Sequence, residues 1–219
     1  MSDHHEHGEH GMYEHDPLHK HPTQPDLEDT PLTHHQIMQM AVADLLVEKG
    51  VIEAEELRKQ IEFMDTITPA RGAALVARAW IDPDFKDRLV ADSKAAGAEL
   101  DMDIGPIPIL VMENTATVHN LIVCTLCSCY PRFLLGFPPD WYKSREYRRR
   151  AVSEPRKVLA EFGTELSDSV EVRVHDSTAD MRYMVLPMRP DGSEDLSEDA
   201  LAALVTRDAM VGVTTPKAP

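Results

Sequence analysis

The sequence predicts an α+β protein, with a helical arm leading into a mixed domain that carries a cysteine-rich loop. Three observations predict it. Apolar residues recur at helical spacing through the first hundred residues, between capping and stop signals. After Gly105-Pro106-Ile107-Pro108 the pattern changes to short apolar and alternating runs of the strand kind. All three cysteines then fall within Cys124-Thr125-Leu126-Cys127-Ser128-Cys129, where the second such run ends. This divides the chain into residues 1–32, 33–104 and 105–219.

Residues 1–32 hold seven of the eleven histidines (His4, His5, His7, His10, His15, His19 and His21) among Asp, Glu, Gly and Pro. That composition buries no core, so a disordered arm is expected, either a solubilising tail or a loose scavenger of divalent metal. Thr33 is an expected N-cap, with Ile37, Met40, Ala41 and Leu45 at helical spacing and Gly50 closing the element. A second helix is expected over 53–67. A third opens at Thr68-Pro69 and ends near Trp80. A fourth starts at Asp82-Pro83 and stops at Gly97. The aromatic-poor helices over 33–104 suit an arm lying along another protein.

In the last segment, 109–112 and 118–123 read as strands, and Phe137-Pro138-Pro139-Asp140-Trp141 as a turn-rich stretch. Helices are expected over 144–152 and 155–162. Strands are expected at Glu171-Val172-Arg173-Val174 and through Met184-Val185-Leu186, and a last helix starts at Ser197.

The absence of any run of 18 apolar residues argues against a membrane span, and no secretory-type apolar segment is present, so a reducing cytoplasm is the expected compartment. A formal charge of −16 argues against a nucleic-acid partner. One stretch is basic, with Lys143, Arg145, Arg148, Arg149, Arg150, Arg156 and Lys157. It reads as a solvated helix or as a docking surface for an acidic subunit.

Three thiols so close together cannot pair off, and C-x-x-C followed by C-x-C points three sulfurs at one locus, which suits a soft metal ion. Structural zinc needs a fourth ligand, for which His119 and His175 are the candidates. Three sulfurs with the backbone nitrogens of Ser128 and Cys129 would instead give five ligands and one open octahedral position, a Lewis-acid site. A redox thiol switch is the third reading.

The run Val123-Cys124-Thr125-Leu126-Cys127-Ser128-Cys129-Tyr130-Pro131, continuing through Leu135-Gly136-Phe137-Pro138-Pro139-Asp140-Trp141-Tyr142-Lys143, resembles the metal-binding segment of nitrile hydratase α subunits. Glu113-Asn114-Thr115, Glu154-Pro155-Arg156, Arg189-Pro190 and Leu204-Val205-Thr206-Arg207 extend the likeness to roughly residues 35–215. The resemblance implies a layered α-β-β-α domain and a low-spin trivalent ion on the Cys124, Cys127 and Cys129 sulfurs and the Ser128 and Cys129 amides. Thr125, where iron-type relatives usually carry Ser, favours Co(III) over Fe(III). Cys127 would be a sulfinic acid and Cys129 a sulfenic acid, and arginines of a β-type partner, one polypeptide or two, would hold them. An activator, or metallochaperone, would load the ion. A nitrile would be hydrated to its amide, with the Cys129 sulfenate oxygen or a metal-activated water as nucleophile. Ser128 would hydrogen-bond the oxidised sulfurs, and Tyr130 would line the pocket wall. Asp176, Asp180 and Arg182 match a family segment in which Asp180 is one methylene short, and they read equally as turn and salt-bridge residues.

Two departures concern the pocket. Ile104-Gly105-Pro106-Ile107-Pro108 lacks the Gln-Gly pair of many relatives. Arg132-Phe133 replaces their Trp-Pro and is similar to the thiocyanate hydrolase γ subunit, a cousin with the same metal motif. Thiocyanate hydrolysis is thus the second expectation, and a non-catalytic cobalt carrier the third.

Overall fold

The computed structural model describes residues 31–218, so the histidine-rich arm lies, but for Pro31 and Leu32, outside the described residues. Contacts divide the chain into two compact units, one up to Leu57 and one over Arg58–Pro219. The expected boundary at 104/105 falls inside the second unit.

Helix α1 (His34–Glu48) starts at a capping box in which the Thr33 hydroxyl accepts from the Gln36 N–H and the Gln36 side chain accepts from the Thr33 N–H. None of its residues is buried, and Ile37, Met38, Met40, Val42 and Leu45 are exposed. Helix α2 (Ala54–Thr66) spans the division between the units. Pro69 stands one residue before α3 (Ala70–Ile81), which carries Leu75, Val76 and Ala79 into the core.

The single helix expected from Asp82 to Gly97 is two helices, α4 (Pro83–Ala91) and α5 (Ser93–Glu99). Asp92 breaks it by adopting extended backbone (φ −150°, ψ 93°), while its carboxylate accepts from the Lys94 and Ala95 N–H groups. A side chain that caps the next helix outweighs the propensity to continue the last one. Gly97 therefore lies inside α5 and is not a stop.

Strands β1 (Ile109–Glu113) and β2 (Val118–Val123) are joined by residues 114–117, too few to return a chain parallel within one sheet. Each consequently finds a distant partner. β2 pairs in parallel with β3 (Glu171–Asp176), and β1 with β4 (Arg182–Leu186), giving two two-stranded parallel sheets. The crossover from β2 to β3 holds α6 (Arg132–Leu135), α7 (Asp140–Lys143), α8 (Arg145–Ser153) and α9 (Pro155–Glu161). The single-turn helices α6 and α7 occupy stretches without helical periodicity, since four residues show no 3.6-residue repeat. After β4 come α10 (Glu198–Leu204), capped by Ser197, and a second helix not expected from the sequence, α11 (Arg207–Val211).

Leu121, Ile122 and Val123 of β2, Met184, Val185 and Leu186 of β4, and Met210 and Val211 of α11 join the side chains of α3 and α4 in one buried cluster. A polar seam crosses it. Asn114 Oδ1 accepts from the Asn120 N–H (2.7 Å), Asn120 Nδ2 donates to the Glu113 carbonyl (2.8 Å), and His119 Nε2 donates to the Gly212 carbonyl (2.7 Å). Burial holds the His119 imidazole neutral by pushing its pKa below the ordinary value.

Candidate metal centre

Parallel pairing of β2 with β3 sets Val123 beside Asp176, so the cysteine segment leaves β2 next to the end of β3. Cys124 is 1% exposed at the head of that segment, Cys127 is exposed and Cys129 half-buried. Their three sulfurs converge within 4.8 Å of one another. Cys127 Sγ lies 3.5 Å from Cys124 Sγ and 3.2 Å from Cys129 Sγ, and the Cys127 N–H donates to Cys124 Sγ (3.2 Å). Hydrogen bonds from Cys129 and then Cys124 draw the Cys127 thiol down to about 7, whereas burial and then Cys127 push Cys129 up to about 12. Cys127 is the first of that pair to become a thiolate, the form that binds metal.

The surrounding chain holds the loop at three places. The Asp176 carboxylate accepts from the Thr125 N–H (2.9 Å) and hydroxyl (2.6 Å). The Ser177 N–H donates to the Val123 carbonyl (2.7 Å). The buried Tyr142 hydroxyl donates to the Cys129 carbonyl (2.8 Å). Tyr142 belongs to an aromatic block under the loop, with Tyr130 edge-on at 4.9 Å and Trp141 packed edge-on against Tyr147 and Phe162. Tyr147 in turn donates to the Ile122 carbonyl (2.6 Å) and fixes the end of β2.

The loop floors an open cleft of about 470 Å³. Cys127, Ser128, Cys129, Tyr130 and Arg182 all line it, opposite an apolar wall of Ile104, Ile107, Ile109 and Phe133. Arg182 opens β4 beside Ile109 of β1 and contributes positive potential at Cys129. Tyr130 lines the cleft, while its buried hydroxyl has no hydrogen-bond partner among the described residues. Two of the site candidates stand elsewhere. Asp176 faces Thr125, and Asp180 is exposed in the turn between β3 and β4, where the Thr178 N–H donates to the Met181 carbonyl. Neither zinc-ligand candidate reaches the sulfurs. His119 bonds to Gly212, and His175 Nε2 donates to Asn120 Oδ1 (2.8 Å).

The donor set fits a thiophilic metal ion, with three clustered sulfurs, no histidine among the described ligand candidates, and a side open to the cleft. A family model described as "Nitrile hydratase, alpha chain" matches residues 33–214. The chain belongs to the nitrile hydratase α-chain family. Among its relatives, the low-molecular-weight cobalt-containing nitrile hydratase subunit alpha of Rhodococcus rhodochrous is 49% identical over 183 residues, covering 82% of this chain and 87% of that one. A chain of recombinant thiocyanate hydrolase with partially modified cobalt centres superposes with a TM-score of 0.80 at 41% identity, covering 85% and 92%. An iron-type nitrile hydratase double mutant from Comamonas testosteroni Ni1 gives 0.74 at 42% identity, covering 85% and 94%. Cobalt and iron thus both occur among this chain's nitrile hydratase and thiocyanate hydrolase relatives.

Sequence reasoning overlooked Tyr142 and Tyr147, whose buried hydroxyls tie down the loop and the strand before it. Nothing in Trp141-Tyr142 or in a helix of arginines signals that a phenol turns inward to a carbonyl.

Proposed function

We propose that this chain is the metal-bearing α subunit of a cytoplasmic cobalt nitrile hydratase, completed by a β-type partner of one chain or two and loaded by an activator. The observation that carries the proposal is the convergence of the Cys124, Cys127 and Cys129 sulfurs beside an apolar open cleft that Cys127 and Cys129 line. Their sulfurs, with the Ser128 and Cys129 backbone nitrogens, would hold Co(III), and Thr125 favours it over Fe(III). The bound ion would supply Lewis acidity that makes a nitrile carbon electrophilic.

The chain's own groups do the rest. The apolar wall from Ile104 to Ile109 and Phe133 takes the organic part of the nitrile. Oxidation would make Cys127 a sulfinate and Cys129 a sulfenate. Arg182 places positive charge beside Cys129, which favours that sulfenate oxygen as an anion. The Ser128 hydroxyl, which has no partner among the described residues, is free to hydrogen-bond an oxygen on either sulfur. Water adds across the triple bond, its oxygen bonding to carbon and both its hydrogens ending on nitrogen, so that R–CN and H₂O give R–CO–NH₂.

Asp176 acts by position. Its grip on Thr125 sets the first turn of the loop, so Asp176→Ala should lower cobalt retention and kcat/KM by about 10- to 100-fold, the range for partners that orient metal ligands. Thr125→Val removes one of the two bonds, and the double variant should lose much less than the product of the two effects. Cobalt content and steady-state rates of the assembled complex check this.

Arg132 favours a second reading, thiocyanate hydrolysis. Assaying the complex on propionitrile and thiocyanate separates the two. Propionamide is the expected product, and carbonyl sulfide without amide would overturn the first reading. A non-catalytic cobalt carrier would show no added mass, whereas the enzyme should gain three oxygen atoms on this chain.

A further inference from the structure

Among the described residues, three buried side-chain atoms have no hydrogen-bond partner: the Tyr130 hydroxyl, Arg148 Nε and the Ser177 hydroxyl. An orphaned buried hydroxyl gives up its bonds to water and gains none in return, so the fold carries it at a cost. Ser177 is the deepest of the three, at 1% exposure, and it stands at the metal loop.

The ladder shows what lies beside it. Parallel pairing of β2 with β3 sets Val123 against Asp176 and continues one step further, through the bond from the Ser177 N–H to the Val123 carbonyl (2.7 Å). The next pair in that register is Cys124 with Ser177. Side chains of paired residues leave the same face of a parallel ladder, and successive ones leave opposite faces. Asp176 accordingly turns out to Thr125, whereas Ser177 turns inward with Cys124, which is also 1% exposed. The Tyr142 hydroxyl belongs to the same group. Burial raises its pKa, and the next influences on it are Cys124 and then Ser177. Its proton goes to the Cys129 carbonyl, and Ser177 forms no bond to it.

A neutral thiol at Cys124 is a weak acceptor, and its sulfur already takes the Cys127 N–H (3.2 Å). A metal-bound thiolate is charged, and a hydroxyl beside it makes a charge-assisted bond. Resting on the metal-centre reading above, we propose that Ser177 is a positioning residue whose hydroxyl stays unpaired until the Cys124 sulfur binds the ion, and then donates to that sulfur. The bond draws electron density from the thiolate and so leaves the ion a stronger Lewis acid toward a nitrile. It also couples loading to stability, because the cost of the orphaned hydroxyl disappears when the ion is held. Removing the hydroxyl therefore acts in opposite directions on the metal-free and loaded forms, which a structural role does not do.

The test compares wild type, Ser177→Ala and Ser177→Thr, each as the metal-free full chain and as the cobalt-loaded complex with the partner subunit. Metal-free Ser177→Ala should melt about 2–4 °C or more above wild type, because the orphaned group is gone. The loaded Ser177→Ala complex should keep its cobalt and shift the sulfur-to-cobalt charge-transfer absorption to longer wavelength. Its kcat/KM should fall about 10-fold, the lower end for partners that tune metal ligands. Ser177→Thr keeps the donor and should hold the absorption near its wild-type position. Metal-free Ser177→Ala melting below wild type would mean that the hydroxyl is bonded without the ion, and would overturn the inference. So would an absorption and rate indifferent to the hydroxyl in a complex that holds its cobalt. A wild-type complex that takes up no cobalt would instead bring down the metal reading itself, and this role with it.

Discussion

Cys124→Ser should lower amide formation by the assembled complex by roughly a thousandfold or more, while the chain still folds and pairs with its partner. Cys124 is the buried member of the sulfur cluster, 1% exposed at the end of β2, and its sulfur lies 3.5 Å from that of Cys127. Serine occupies nearly the same volume, so the core around Val123 is not disturbed. A hydroxyl, however, is a poor ligand for an ion selected by soft sulfur. Losing the ion removes several kcal/mol of transition-state charge stabilisation, and each 1.36 kcal/mol is a tenfold change in rate. Amide production measured against an unchanged far-ultraviolet circular dichroism spectrum checks the prediction. A variant with near wild-type rate would mean that the sulfurs are not the reactive centre.

Gly212→Ala should be the most damaging single methyl group in the protein, costing about 3–5 kcal/mol in urea unfolding. Gly212 ends α11 with φ +91°, a left-handed conformation that alanine adopts only with strain. A Cβ there would also lie 2.1 Å from the Asn120 carbonyl oxygen and 3.1 Å from Val185 Cγ2. The first neighbour is strand backbone, which has no rotamer to yield. Relief requires moving α11 off β2, which also pulls the Gly212 carbonyl away from His119. Gly163→Ala is the matched comparison. Its φ is +79° but nothing lies within 4 Å of the added atom, so only the backbone strain of about 1–2 kcal/mol should appear. Similar losses at the two sites would contradict the steric account.

The cysteine spacing made the metal loop legible because three thiols in six residues have few other uses. The strands were legible too, since 118–123 is a short, largely apolar run of the strand kind. Their pairing was not. The link between β1 and β2 excludes one partner without naming the other, and β3 lies nearly fifty residues further along the chain. Asp176 therefore could be matched to a family position but not given its task, which is to hold Thr125 through the parallel register of β2 and β3. Asp92 escaped for a local reason. Its carboxylate caps α5 and splits a stretch whose apolar spacing reads as one helix. The cleft was the least legible part, because Ile104, Ile107 and Arg132 meet there only through tertiary packing. Arg132 stood out in the sequence as a departure from Trp. Its lack of an acidic partner among the described residues is visible only in three dimensions.

The proposed metal site is tested most directly by elemental analysis of the complex purified with its partner subunit from cobalt-supplemented cells. One cobalt per wild-type chain, with almost none in Cys124→Ser, is the predicted result. Zinc in place of cobalt, or cobalt that persists undiminished without Cys124, would contradict it.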